Sequence, residues 1–503
     1  MSTVFTPNAS ESIQHFLETP IDTLLAPLSP EQQSQYLVAL FQHCAAKVPA
    51  YAQYLEQHSI DSQAIQSYAD FQNLPLMTKA DYMQAYPLSA RCVGGSLLGV
   101  DRIAVSSGST GQPTFWPRSL AHELEVAVRF EQVLHDSFQA HTRSTLAIVC
   151  FALGNWVGGM FTTSCCWHLA HKGYPLLVAT PGNNKAEIMR IVKALAPQFE
   201  QTVLLGYPPF VKDVIDAGMA EGITWADYQP KLVFAGEVFS EEWRSLLATR
   251  MGSAAPCFDF ASLYGTADGG VLGNETPFSI AIRRWLATQP EAARTLFGES
   301  RLPTVVQFDP KSRYFEEHHG TLVVTGNNSV PLLRYHIADK GGVISFAAMW
   351  EFLNRYGILS YTDLGLPENF SPRELPFVFV FGRADFTVSF YGANIYPENI
   401  SVGLEQAELT AWLTGKFVLE SQTSEAGDAY LHISVELLPG VTVQEALIPQ
   451  IAESIRTQLL RLNSEFANYT PTERQLPAIK LCLFGDPEYF PVGVKHRYTR
   501  KTP

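Results

Sequence analysis

The feature that most constrains this fold is an alternation of short apolar runs and longer amphipathic stretches, which begins near residue 100. The apolar runs have the length of strands and consist mainly of apolar and β-branched residues, as in 175–180, 201–206 and 231–236. Segments with helical periodicity lie between them, for example 185–199 and 210–222. This alternation predicts an α/β protein with layered sheets and helices. Several runs end in small or polar residues, where open α/β sheets bind ligands.

The first hundred residues are polar and helical in pattern. A Ser-Pro-Glu-Gln start at Ser29 predicts a helix over 28–45, because serine caps a helix and proline suits its first turn. The stretches 275–320 and 345–375 show no clear period. We expect these two stretches to be irregular insertions.

A second change of character falls near residue 380. Beyond it, 430–437 and 478–484 have strand patterns, and 445–462 has a helical pattern. These elements predict a small α+β domain of ordinary size. We therefore expect two domains, a large one over 1–381 and a small one over 382–503.

Length, charge and cysteine content exclude several classes of protein. A chain of 503 residues is too long for one typical domain, and its 46% apolar and 17% charged residues exclude wholesale disorder. The net charge of −14 argues against binding to nucleic acid or to an anionic membrane. Seven cysteines without a CxxC pair favour a reducing compartment over a disulfide framework. Because the sequence shows no signal peptide or membrane-spanning run, we expect a cytoplasmic protein.

The segment SSGSTGQPT (106–114) has the strongest chemical signal in the chain. It lies between a strand pattern and a helical one, and it combines two glycines with five hydroxyl side chains. Glycine lets the backbone approach a phosphate, and hydroxyl and N–H groups can donate to the anion. The spacing is not that of a Walker loop. A polar surface turn explains the same composition equally well.

Two further segments carry an aromatic or acidic side chain beside glycine. In FASLYGTADGG (260–270), Tyr264 could stack on a base and Asp268 could bind Mg²⁺ through oxygen. In LLRYHIADKGG, Asp339 could accept both hydroxyls of a ribose. Taken alone, the first segment is better explained by a strand-to-turn junction with a core tyrosine, and the second by a turn-forming aspartate.

Two segments near the C-terminus are basic or mixed in charge. FGRADFTVSFYGANIYPENI (381–400) brings Arg383 close to Asp385, which alone would suggest a hairpin with a surface salt bridge. GVKHRYTRK places Lys495 in a basic tail, and such tails are usually solvated.

Taken together and in this order, the five segments resemble the adenylate-forming superfamily of acyl-CoA synthetases, and its phenylacetate–CoA ligase branch in particular. SSGSTGQPT is similar to the family's phosphate loop, and LYGTADGG to its Tyr-Gly-x-[Ser/Thr]-Glu motif. PLLRYHIAD resembles Pro-Leu-[Ile/Leu]-Arg-Tyr-Arg-Thr-Gly-Asp, and GRADFTVSFYGANIYPENI resembles the Gly-Arg-x-Asp-Asp hinge with its adjoining Gly-x-Asn-[Val/Ile]-[Phe/Tyr]-Pro segment. LPLMTKADY (74–82) also resembles a segment of that branch. The resemblance spans about 45–501.

This resemblance implies a fold and a reaction. The fold is a large N-terminal adenylate-forming domain with layered sheets and helices, followed by a small, mobile α+β domain. The reaction is the ATP- and Mg²⁺-dependent activation of a carboxylic acid to an acyl-adenylate, and we expect an aryl or arylacetic acid. Transfer of the acyl group to the thiol of coenzyme A completes the reaction.

The resemblance also implies residue roles. The residues assigned to the nucleotide are Ser107, Ser109, Thr110, Gly111, Gly236, Glu237, Tyr264, Gly265, Thr266, Asp339 and Arg383. Asp268 would replace the family's Mg²⁺-binding glutamate, Asp385 would be the hinge, and Lys495 would be the catalytic lysine. The candidates for the acyl pocket are Trp156, Gly158, Phe234, Ala235, Phe260 and Ala261, although apolar residues of this kind are mostly core.

Several positions depart from the family's motifs. Gln112 replaces a lysine, Ala267 replaces a hydroxyl residue, and His336 and Ala338 stand where arginine and glycine are usual. Two alternatives therefore stay open. The acyl acceptor could be a carrier-protein or protein thiol, or the chain could bind nucleotide without turnover. The sequence leaves the acid and the oligomeric state open.

Overall fold

The computed structural model describes residues 8–106, 114–155, 157–236, 238–299, 301–383, 388–390, 393–423, 429–463, 466–467, 470–491 and 496–499. The chain divides into two compact units. Unit 1 comprises Met1–Gly236, Ser253–Ile282 and Thr304–Phe381, and unit 2 comprises Glu237–Gly252, Arg283–Pro303 and Gly382–Pro503. Unit 2 thus combines the C-terminal stretch with two segments from earlier in the chain, and the two contiguous domains stay a prediction.

The helices and strands are numbered in chain order. The α-helices are α1 (Ala9–Glu18), α2 (Ile21–Leu24), α3 (Pro30–Lys47), α4 (Pro49–Gln57), α5 (Tyr68–Gln72), α6 (Leu120–Gln132), α7 (Val157–His171), α8 (Lys185–Leu195), α9 (Pro208–Ala220), α10 (Glu241–Met251), α11 (Pro256–Asp259), α12 (Pro277–Ala287), α13 (Pro290–Phe297), α14 (Phe346–Arg355), α15 (Pro397–Leu404) and α16 (Leu447–Leu462). The strands are β1 (Arg102–Ser106), β2 (Thr114–Arg118), β3 (Thr145–Val149), β4 (Leu176–Ala179), β5 (Gln201–Gly206), β6 (Pro230–Ala235), β7 (Phe260–Thr266), β8 (Gly270–Asn274), β9 (Thr304–Gln307), β10 (Tyr314–His318), β11 (Thr321–Gly326), β12 (Leu332–Ile344), β13 (Phe377–Arg383), β14 (Val388–Phe390), β15 (Ala393–Ile395), β16 (Leu413–Thr423), β17 (Ala429–Leu437) and β18 (Ala478–Cys482).

Helix α3 begins where its local sequence predicts. The Ser29 hydroxyl accepts a hydrogen bond from the Gln32 N–H at 3.1 Å, and the Gln32 side chain accepts one from the Ser29 N–H at 2.9 Å. This reciprocal pair satisfies two backbone donors that the helix cannot satisfy itself. The predicted helical character of the first hundred residues is confirmed by α1–α5.

The large sheet of unit 1 has eleven strands among the described residues, in the order β10-β11-β12-β13-β9-β8-β7-β6-β5-β3-β4. The neighbours β4, β3, β5, β6 and β7 are parallel. Strands β4, β5 and β6 confirm the strands predicted from the apolar runs 175–180, 201–206 and 231–236. The chain passes from β3 outward to β4 and then returns to the other side of β3 as β5. In such sheets the reversal opens a crevice at the carboxyl ends of the two strands, here β3 and β5.

The two stretches that we expected to be irregular contain regular structure, so that expectation is wrong. Residues 275–320 include α12, α13, β9 and β10, and 345–375 includes α14. The helical pattern of α12 is hidden because its charged Arg283 is buried, at 4% exposure, where it donates to the Pro303 carbonyl at 2.8 Å. A buried arginine breaks the apolar period that sequence reading relies on.

Unit 2 contains a three-stranded sheet, β16-β17-β18, and the β14–β15 hairpin. The predicted strand, helix and strand appear as β17, α16 and β18. Helix α15 packs against α16 at Gly403, where an added Cβ would lie 2.7 Å from the Ile455 Cα. In the part of the chain that the structure describes, no helix is both long and apolar enough to cross a membrane.

Candidate active site

Two aromatic rings lie in contact at the carboxyl ends of β3 and β5. Phe151 follows β3 and Tyr207 follows β5, and the ring centroids are 4.9 Å apart at 89°. Gly158, in the first turn of α7, faces both, since an added Cβ would lie 3.3 Å from the Phe151 ring and 3.5 Å from the Tyr207 hydroxyl oxygen. Tyr207 was not among the residues that the sequence singles out. Its place directly after a buried strand is the signal that could have found it.

Gly236, predicted to border adenine, follows β6 and lies beside the same tyrosine. Its φ is +83°, and an added Cβ would lie 2.8 Å from the Tyr207 ring. Both the backbone conformation and the space therefore require glycine here.

We expect Gly236→Ala to destabilise the protein by about 1–3 kcal/mol more than a matched change that only strains the backbone. Gly222→Ala is that control, because Gly222 has φ +82° and open space around its Cα. Chemical denaturation of both variants measures the difference. If adding Tyr207→Ala to Gly236→Ala brings no relief, the tyrosine is not the obstacle.

Tyr264 and Asp339 are brought together from motifs 75 residues apart in the chain. The Tyr264 hydroxyl donates to Asp339 Oδ2 at 2.7 Å, and its ring lies 6.4 Å from that of Phe315 at 28°. Asp339 is 6% exposed on the long strand β12. Tyr264, predicted to stack on adenine, and Asp339, predicted to bind the ribose, are therefore in direct contact. Gly265 and Thr266 end β7 beside them, and the Thr266 hydroxyl oxygen accepts from the Gly269 N–H at 2.9 Å.

The residue before Asp339 has a backbone conformation that suits glycine. Ala338 has φ +60°, in the left-handed region that side chains with a Cβ adopt at a cost. The resembled motif has glycine at this position. The local geometry therefore agrees with the motif, and the alanine carries the strain.

Ala338→Gly is expected to stabilise the chain by about 0.5–1 kcal/mol, since the relief of strain exceeds the added flexibility of glycine. Ala52→Gly, inside α4, should do the reverse by about 1 kcal/mol. Thermal unfolding of the two variants distinguishes the cases. A lower unfolding temperature for Ala338→Gly would mean that Ala338 is not strained.

Asp268 lies on the turn between β7 and β8 and is 9% exposed. The hydroxyl of Tyr335, also on β12, donates to its Oδ2. Oδ1 accepts no hydrogen bond from the residues that the structure describes. Burial lowers the pKa of Arg118 to about 10, and the charge of Asp268 opposes that shift. Sequence reading missed Arg118 and Tyr335, although strand alternation places Arg118 on the buried face of β2 with Trp116.

The donor set at Asp268 fits Mg²⁺ in a limited way. No group of three or more His, Cys, Asp or Glu side chains that could hold a metal occurs among the described residues. Mg²⁺, however, is commonly bound through one or two carboxylates together with substrate phosphates and water. One hard, unengaged carboxylate oxygen meets that need, and the nearby Arg118 charge opposes it.

The acyl-pocket candidates do not gather on one surface. Phe234 and Phe260 lie on one face of the sheet, with ring centroids 6.2 Å apart, and both are fully buried. Ala235 and Ala261 occupy the alternate positions and so point to the opposite face. Only Gly158 and Ala235 among the described candidates are partly exposed. The pocket assignment stays a prediction.

The remaining predicted site residues lie outside the described part of the chain. They are Ser107, Ser109, Thr110, Gly111, Trp156, Glu237, Asp385 and Lys495. Arg383 is the last residue of β13, and its side chain is outside the description as well. Their roles stay predictions.

Comparison with known proteins gives a fold match. No protein-family model and no curated protein sequence matches the chain. A structure of 2-hydroxyisobutyryl-CoA ligase in the postadenylation state, in complex with R3-HIB-AMP, matches with a TM-score of 0.62 and 14% identity, over 95% of this chain and 91% of that one. The same ligase with 2-HIB-AMP and CoA in the thioesterification state matches with a TM-score of 0.52 and 15% identity, over 94% and 90%. The chain therefore has the fold of the adenylate-forming acyl-CoA ligases.

Proposed function

We propose that this protein activates a carboxylic acid with ATP and transfers the acyl group to the thiol of coenzyme A. One observation carries the proposal: residues from separate motifs of such ligases meet at one place. Tyr264 hydrogen-bonds to Asp339, and Asp268, four residues further along, hydrogen-bonds to Tyr335 on the strand that carries Asp339.

In the first step, a carboxylate oxygen attacks the α-phosphorus of ATP and the bond to pyrophosphate breaks. Asp339 would accept the ribose hydroxyls and fix the nucleotide, with Tyr264 holding its carboxylate in place. Asp268 would hold Mg²⁺, whose charge offsets that of the phosphates when it is bound. Lys495 would approach the carboxylate and α-phosphate, since two anions must be brought together.

In the second step, the thiol sulfur attacks the carbonyl carbon of the acyl-adenylate and AMP leaves. Rotation of the small domain about Asp385 would remove Lys495 and admit the thiol. The same chemistry serves a carrier-protein phosphopantetheine or a protein cysteine. Coenzyme A is the simplest of these acceptors, and the products formed with and without it distinguish them.

We propose an aryl or arylacetic acid as substrate. The rings of Phe151 and Tyr207 contact each other edge-to-face at the carboxyl ends of β3 and β5, beside Gly158. Ligand sites are mostly apolar, and aromatic ligands pack favourably edge-to-face on such rings.

Binding without turnover is a second candidate, favoured by the strain at Ala338. A residue with φ +60° directly before the ribose-side aspartate departs from the conformation that alanine prefers. Together with the missing lysine at Gln112, it is compatible with a weakened nucleotide site.

The experiment that tests the proposed function is product analysis by mass spectrometry. The full-length protein is incubated with ATP, Mg²⁺ and a panel of aryl, arylacetic and short aliphatic acids, with and without coenzyme A. We expect acyl-AMP without the thiol and an acyl-CoA thioester with it. Acyl-AMP without any thioester would favour a carrier-protein or protein thiol. ATP binding with no acyl product would favour the module without turnover.

A further inference from the structure

The turn that carries Asp268 is held by buried side chains through its backbone oxygens. The guanidinium of Arg118 donates to the carbonyl of Ala267 and, at 3.4 Å, to that of Asp268. The Asn328 amide also donates to the Asp268 carbonyl, at 3.3 Å. Arg118 lies 149 residues before Ala267 in the sequence, and Asn328 lies 60 residues after Asp268. No local sequence pattern can therefore reveal these hydrogen bonds.

A third carbonyl of the same turn is held in the same way. Arg313 donates to the Gly269 carbonyl at 3.1 Å and to His122 Nε2 at 2.8 Å. Burial, together with the charges of Arg118 and Arg313, keeps the pKa of His122 well below its usual range, so the ring is neutral and can accept this bond. Three consecutive carbonyls, 267 to 269, therefore accept hydrogen bonds from buried side chains.

These donors are deeply buried. Arg118 and Asn328 are each 3% exposed, and Arg313 is 2% exposed. A buried guanidinium is costly unless its donors are satisfied. The turn carbonyls accept from both terminal nitrogens of Arg118 and from one of Arg313, and the Nε of each arginine has no hydrogen-bond partner among the described residues. The turn and the arginines therefore stabilise each other.

Arg118 also belongs to the hairpin that carries the predicted phosphate loop. It ends β2, which begins at Thr114 directly after residues 107–113, and it pairs with Arg102 at the base of the β1–β2 ladder. One side chain thus joins the hairpin of the glycine- and hydroxyl-rich loop to the turn that carries Asp268.

We propose that Arg118 is a positioning residue that fixes the Asp268 turn against the β1–β2 hairpin, so that the Asp268 carboxylate faces the nucleotide phosphates and their metal ion. This inference rests on the proposed function. Arg118 would act through the turn, because its described hydrogen bonds go to the turn carbonyls. Asn328 lies two residues after the end of β11 at Gly326. It would support the same orientation through its hydrogen bond to the Asp268 carbonyl.

The test measures the binding of ATP to the full chain by calorimetry, with and without Mg²⁺. The ratio of the ATP affinity with Mg²⁺ to that without it is the metal-dependent gain in ATP affinity. Measuring this gain does not require turnover. The variants are Arg118→Gln, Arg118→Lys and Asn328→Ala, with Asp268→Asn as the positive control. Arg373→Gln is the matched control, because Arg373 is a part-buried arginine held by Asp136 and Asp22 at 2.7 and 2.8 Å.

We expect Arg118→Gln to reduce the metal-dependent gain in ATP affinity about 10- to 100-fold, as found for side chains that orient a metal ligand. Arg118→Lys should recover part of the gain, since lysine keeps the charge but cannot donate to two carbonyls from a planar group. Arg373→Gln should lower the unfolding temperature and leave the gain unchanged.

An unchanged gain in folded Arg118→Gln would overturn the inference and leave Arg118 a structural residue. If that variant does not fold, Asn328→Ala decides: an unchanged gain there overturns the inference, and a reduced gain supports it. A wild-type protein whose ATP affinity is indifferent to Mg²⁺ contradicts the proposed metal role of Asp268 itself. The failure of the proposed function and the failure of this inference are therefore distinguishable.

Discussion

Asp268→Asn is expected to lower acid-dependent adenylation about 100- to 1000-fold, the usual effect of removing one group that stabilises charge in a transition state. Asparagine has nearly the same shape and can still accept the Tyr335 hydroxyl, so the change removes mainly the charge. That charge is what would hold Mg²⁺ at the phosphates. It also compensates the buried Arg118, so the unfolding temperature should fall as well.

Tyr335→Phe is the matched variant for this prediction. It removes the hydroxyl that donates to Asp268 but keeps the carboxylate and its charge. We expect a smaller loss, corresponding to about 1 kcal/mol for one hydrogen bond. Initial rates of pyrophosphate exchange, measured well below the unfolding temperature of each variant, compare the two. Unchanged exchange in a folded Asp268→Asn protein would contradict a role for this carboxylate.

Asp339→Asn should weaken ATP binding about 10- to 100-fold, because hydrogen bonds to a charged group contribute about 1.5–3 kcal/mol. The carboxylate can accept from both ribose hydroxyls, whereas the amide presents only one acceptor oxygen. Asp339 is buried and held by Tyr264 at 2.7 Å, so water replaces the lost contact poorly.

Tyr264→Phe separates orientation from charge in this pair. Phenylalanine keeps the ring beside Phe315 and removes only the hydroxyl that donates to Asp339. Calorimetry with ATP and with 2′,3′-dideoxy-ATP should show that Asp339→Asn loses affinity for ATP far more than for the dideoxy analogue. An equal loss for both nucleotides would mean that Asp339 does not bind the ribose.

Short-range sequence signals, such as a capping box or an apolar run, predicted the helices and strands that depend on neighbouring residues. Helix α3 begins at its Ser29–Gln32 capping box, and β4, β5 and β6 are apolar runs that the sequence predicts as strands. Helices α12, α13 and α14 were not predicted, and in α12 the buried Arg283 interrupts the apolar period. Propensity and periodicity cannot indicate a residue whose partner is distant in the chain.

In the candidate site as well, the sequence indicates the motif residues but not the long-range contacts between them. The motifs containing Tyr264, Asp268 and Asp339 stand out in the sequence because glycine, acid and aromatic residues lie close together. The contacts that join them do not stand out. Arg118 looks like an ordinary strand residue until the fold places it under the turn of Asp268. The positive φ of Ala338 is likewise visible only in the backbone. The glycine at this position of the resembled motif is the one sequence feature that is typical of a positive φ.

The central claim is that this chain forms acyl-adenylates, and carboxylate-dependent exchange of pyrophosphate into ATP measures that step alone. We would run the exchange with aryl, arylacetic and short aliphatic acids in the presence of Mg²⁺, with Lys495→Ala beside the wild-type protein. The account predicts exchange that depends on one class of acid and is lost in Lys495→Ala. Exchange that survives in that variant would remove Lys495 from the mechanism, and ATP binding without exchange for any acid would contradict the claim itself.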